Sequence, residues 1–98
     1  MGFGGAGYEP SLIPLLKERD VAMIGADVPQ EGGNIPGMFI PIHVFTLVGL
    51  GMNLLDNLAL DELAATADRL KRWDFMLVIE PIRLERGAGA PVNPIAIF

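Results

Sequence analysis

The pattern of apolar and polar positions divides the chain into short elements separated by Gly/Pro-rich loops. In residues 11–18, Leu12, Leu15 and Leu16 recur at helical spacing, and Ser11 is a capping residue. Pro14 falls in the first turn, where a missing N–H costs little, and Lys17 and Arg19 suit the negative end of a helix dipole. A short helix is predicted there. Residues 21–26 are a continuous apolar run of strand length ending at Asp27, the pattern of a strand covered on both faces. Residues 29–37, PQEGGNIPG, form a turn-rich loop in which only Ile35 is hydrophobic. Periodicity alone leaves 44–50 as helix or strand; Pro41 before it and Gly49 and Gly51 after it favour a short helix with a glycine stop. Residues 52–55 then read as a strand. The clearest helix covers 60–73, where Leu60, Leu63, Ala67 and Leu70 make an apolar stripe and the wet face carries acids early and bases late. Residues 75–79, FMLVI, predict a strand extended to Leu84, with Pro81 marking an edge or bulge. After a second Gly/Pro loop at 86–94, residues 95–98 predict a last short strand.

Helices alternate with strands and no internal repeat is visible. The expected class is therefore α/β, with helices layered on a mostly parallel sheet. Residues 1–10 read as a flexible Gly-rich end, and the structured elements begin and finish close to the two ends of the chain.

Composition changes this picture in three ways. At 98 residues the chain is one small domain or a portion of a larger one. With 51% hydrophobic residues and a mean hydropathy of +0.42, it has apolar surface to bury against a partner chain or more of its own domain. A net charge of -5, from 7 basic and 12 acidic residues, repels nucleic acid and anionic lipid. Without cysteine there is no disulfide framework and no thiolate nucleophile or ligand, as suits a reducing, cytoplasmic setting. The N-terminus lacks the basic and apolar regions of a secretory signal. Residues 32–55 carry no Asp, Glu, Lys or Arg and reach the roughly 20-residue length of a membrane span. Pro36, Pro41, Gly37, Gly49 and Gly51 interrupt them, so no membrane partner is expected.

Candidate chemistry centres on residues 40–57, IPIHVFTLVGLGMNLLDN, which hold the sole histidine, His43, and end in Asp56 and Asn57. From His43 a helix advances about 10 Å at 1.5 Å per residue. A strand from Met52 returns about 13 Å at 3.3 Å per residue. If helix and strand are antiparallel, His43 and Asp56 meet at the carboxyl edge of the sheet, where α/β folds bind ligands. Asp27, at the end of the first strand, and the loop after it are candidates for substrate contact, with a local cap or turn as the alternative for Asp27. Gly2, Gly4 and Gly7 match G-x-G-x-x-G, with Asp27 about 20 residues on, as in dinucleotide-binding units. That motif needs a preceding strand, and only Met1 precedes it here, so a nucleotide-binding fragment is the weakest alternative.

The segments VAMIGADVP, PIHVFTLVGLGMNLLDNLALDEL, FMLVIEPIRL and GAGAPVNPIAIF, in this order, resemble the C-terminal part of the cyclase family, metal-dependent hydrolases that include bacterial kynurenine formamidase and isatin hydrolase. The resemblance runs from about residue 11 to 98. It implies part of a swivelling β/β/α domain, assembly into homodimers or larger oligomers, and Zn or Mn that activates water for attack on an amide or lactam carbonyl, as in the kynurenine branch of tryptophan catabolism. It also implies that His43 and Asp56 are metal ligands, and leaves Asp27 and Asn57 as residues that contact substrate or support the ligands. The family's first ligand cluster, His-x-Gly-Thr-His-x-Asp, does not occur in these residues, and many formamidases carry Glu where Asp56 stands. The chain is therefore expected to be an incomplete fragment, inactive alone. An interaction or oligomerisation module without catalysis is the main alternative.

Overall fold

The structure, a computed structural model, describes residues 6–98. These residues form two compact units that divide after residue 60, and mix helices with small parallel and antiparallel sheets. No helix among the described residues is long and apolar enough to cross a membrane.

The first unit opens with a 3-10 turn, Pro10–Leu12, that runs into helix α1, Ile13–Glu18. α1 ends where Asp20 turns left-handed at φ 51°, which lets the Val21 amide donate to the Leu16 carbonyl at 3.0 Å and close the helix end. Strand β1, Met23–Gly25, follows. After a long loop, helix α2, Pro41–His43, continues without a break as a π-helix, Val44–Leu50. Pro41 suits the first helical position because its missing N–H would have no partner there. Gly51 ends the helix at φ 65°, a conformation open to glycine at little cost. Strand β2, Asn53–Leu55, then pairs parallel with β1, Met23 opposite Asn53 and Gly25 opposite Leu55. The two chains stay tied beyond the strands: the Ala26 amide donates to the Leu55 carbonyl at 3.0 Å and the Leu58 amide to the Ala26 carbonyl at 2.9 Å.

The stretch expected to be a flexible end is fastened over part of its length. The Tyr8 amide donates to the Gln30 carbonyl at 2.8 Å, the Gly32 amide donates back to the Tyr8 carbonyl at 3.0 Å, and the Tyr8 hydroxyl reaches the Gly25 carbonyl at 3.1 Å. Gly7 and Gly32 allow this pairing, because a Cβ on either would run into the other's backbone. Gly2 and Gly4, the first members of the G-x-G-x-x-G string, lie outside the described residues.

The second unit contains helix α3, Asp61–Leu70, shorter than the 60–73 expected because Lys71 turns left-handed at φ 49° and the Arg72 amide folds back to the Ala67 carbonyl at 3.1 Å. Strand β3, Met76–Val78, pairs antiparallel with β4, Ile95–Ile97. The expected extension of the strand through Pro81 to Leu84 is irregular chain. Instead of one mostly parallel sheet, the described residues carry one parallel and one antiparallel pair.

Candidate functional site

The carboxyl ends of β1 and β2 gather three ionisable side chains. Asp56 follows the last residue of β2, His43 ends the α-helical turn that precedes it, and Glu31 lies on the loop that leaves β1. Nε2 of His43 stands 2.8 Å from Oδ2 of Asp56, and Nδ1 of His43 stands 2.6 Å from Oε1 of Glu31. The imidazole is thus held at both nitrogens by carboxylates. His43 and Asp56, which the helix-and-return argument placed on one edge, are brought together.

Glu31 was not singled out from the sequence, yet it is the most fixed member. Its side chain is 4% exposed. Oε2 accepts from the Ile42 amide at 3.0 Å, and Oε1 accepts from the His43 amide at 3.0 Å as well as from the ring. Those amides belong to the first turn of α2, where backbone N–H groups lack helical acceptors and the dipole favours an anion. The carboxylate therefore caps the helix from a distant loop. One signal in the sequence pointed to it: between Asp27 and Asp56, Glu31 is the sole Asp, Glu, Lys or Arg.

Neighbouring groups fix the frame. Gln30 is fully buried, and its Nε2 donates to the Leu55 carbonyl at 3.0 Å, next to Asp56. Its backbone turns left-handed at φ 66°, uncommon for a residue other than glycine or asparagine. Gln30 and Glu31 face different anchors as a result, one at the end of β2 and the other at the start of α2. The Gln30 Oε1 is buried without a partner among the described residues. Thr46, also fully buried, donates its hydroxyl to the Ile42 carbonyl at 2.7 Å where the helix begins to wind with the wider π spacing.

Burial alone pushes the pKa of His43 down, but hydrogen bonds from the ring to Glu31 and Asp56, with the charges of both, outweigh it, and the net shift is upward from 6.5. The shift favours the doubly protonated ring, which can set one N–H against each carboxylate.

The chemistry of the donors fits Zn or Mn in kind. An imidazole nitrogen adjacent to a carboxylate oxygen is a suitable ligand pair, and a metal-binding histidine commonly gives its other N–H to a carboxylate, a place that Glu31 occupies 2.6 Å from Nδ1. In number the donors fall short. The oxygens of Glu31 are committed to the helix amides and the ring, and among the described residues no group of three or more His, Cys, Asp or Glu is placed to hold a metal ion. Asp27 is exposed in the bend after β1 and is not part of the cluster. Asn57 is exposed too, and its contribution is backbone: it turns left-handed at φ 55° and its amide donates to the Val28 carbonyl at 3.3 Å.

The chain matches no family model, no curated protein and no solved structure.

Proposed function

We propose that this chain supplies the C-terminal half of the site of a metal-dependent hydrolase acting on an amide or lactam bond, in keeping with its resemblance to the cyclase family. The observation that carries this reading is the 2.8 Å approach of His43 Nε2 to Asp56 Oδ2, with the far side of the ring fixed by Glu31. A catalytic ion needs about three protein ligands and an open position, and here two are offered. The remaining ligands would come from a His-x-Gly-Thr-His-x-Asp segment carried by a longer polypeptide.

Bound Zn or Mn supplies water activation near neutral pH and polarisation of a carbonyl. His43 and Asp56 would hold it, and Glu31 would keep the ring from turning. The parallel β1–β2 pair with a helix between its strands suits part of a swivelling β/β/α domain. Self-association belongs to the same reading, and the apolar, exposed Met76, Ile95 and Ile97 on the second sheet support it.

The test is hydrolysis of N-formylkynurenine and of a cyclic amide, with Zn or Mn added, by the 98-residue chain and by a chain extended with the missing cluster. Hydrolysis is expected from the extended chain alone, and it should disappear in its His43→Ala variant. Turnover with full metal stoichiometry by the 98 residues, or an extended chain indifferent to His43→Ala, overturns the reading.

A further inference from the structure

The cluster contains a buried carboxylate that the proposed chemistry does not use directly. Glu31 has no oxygen to spare for a metal or a substrate, since both take backbone amides and one also takes the His43 ring. What it can still do is decide which ring nitrogen carries the proton.

A neutral imidazole has one N–H, and two carboxylates compete for it. The Glu31 acceptor lies at 2.6 Å and the Asp56 acceptor at 2.8 Å. The side chain of Glu31 is 4% exposed and that of Asp56 is 32% exposed. If Asp56 loses the ring proton, water replaces it; if Glu31 does, nothing can, and an unmade bond to a buried charged group is costly. Glu31 cannot swing away either, because the Ile42 and His43 amides hold it from the helix end. We infer that Glu31 is a positioning residue that fixes neutral His43 as the Nδ1–H tautomer and so presents an unprotonated Nε2 on the Asp56 side. Its value for metal capture rests on the reading above, while its effect on the ring does not.

His43 is the sole histidine, so the ring gives one set of signals in the intact chain. Two-bond proton–nitrogen correlation spectra of the metal-free, 15N-labelled chain, recorded at a pH where His43 is neutral, report the tautomer directly. The expected result is a protonated Nδ1 and a bare Nε2, unchanged in Asp56→Asn. In Glu31→Gln the amide oxygen is a weaker acceptor than a carboxylate, and the proton is expected to move to Nε2 against Asp56. Zn added to the same samples should bind Glu31→Gln about 10–100-fold more weakly than the parent chain.

A parent chain with the proton on Nε2 overturns the inference, and so does a folded Glu31→Gln variant that keeps it on Nδ1. If Glu31→Gln does not fold, the parent and Asp56→Asn spectra decide the matter, and a switch to Nε2–H in either counts against Glu31. Should the tautomer be as expected while a chain extended with the missing cluster binds no Zn, the metal reading falls and the role of Glu31 stands.

Discussion

The two compact units use their residues in opposite ways. In the first, Leu16, Ile42, Met52 and Leu55 are buried, and with them the polar Gln30, Glu31 and Thr46. Each of those three polar residues has a hydrogen bond to a distant or helical backbone group. In the second unit Ala67 is the buried hydrophobic residue, while Trp73, Met76, Ile82, Leu84, Ile95 and Ile97 are exposed. The register of β3 with β4 places Met76 and Val78 with Ile97 and Ile95 on one face, and Leu77 with Ala96 on the other, where the Phe75 and Phe98 rings stand 5.3 Å apart. A two-stranded sheet that is apolar on both faces is marginal by itself. The lesson is that specificity in the first unit comes from polar groups buried in fixed pairs, whereas the second has the raw hydrophobicity of a core without the enclosure of one.

The contrast breaks most readily at Glu31. Glu31→Ala leaves the Ile42 and His43 amides and the His43 ring without their acceptor, and a loss of about 3–5 kcal/mol is expected, read as a lowered urea midpoint of the first unit's signals. A smaller effect comes from proton concentration. Because the folded pKa of His43 is raised above its ordinary 6.5, the ring's stabilisation is complete below that value and is lost as pH rises through the folded-state value. The metal-free chain should resist urea better at pH 6 than at pH 9, and Asp56→Asn should narrow that difference; an equal or larger difference in the variant contradicts the assignment to this ring. Smallest in folding terms is Ile97→Ser, expected to cost under about 1 kcal/mol because its side chain is already half exposed. Its effect should fall on association instead, with the sedimentation mass of the parent chain above that of the variant.

Much of the backbone was legible in the sequence because it is written in local terms. The leucines of 11–18, the glycine stop at Gly51 and the stripe of 60–73 each announce an element through its own few residues. Asp20 and Lys71 end their helices in the left-handed conformation without glycine, so composition could mark those stops only loosely. The meeting of His43 with Asp56 was legible too, from the near equality of a helix's advance and a strand's return. The pairing of sheets was less so: an apolar run states that a strand is covered, not which neighbour it pairs with, and β3 with β4 proved antiparallel. Glu31 stayed hidden for a related reason. Its partners lie 11 and 12 residues away across a loop whose path no periodicity describes. Asp27 drew notice by standing at a strand end; it is exposed in the bend four residues before Glu31 and outside the His43 cluster.

The close contact of Gly7 with Gly32 couples the beginning of the chain to the chemistry by distance alone. Neither residue has a side chain to titrate, donate or coordinate, yet a single added methyl at either would act as a wedge between Tyr8 and the segment that carries Gln30 and Glu31. The loop that sets the imidazole is thereby clamped at a point where the sole tolerated substituent is a hydrogen atom. Mutational sensitivity in this protein should extend to residues that touch nothing reactive, because the tightness of a backbone crossing governs how firmly its one histidine is held.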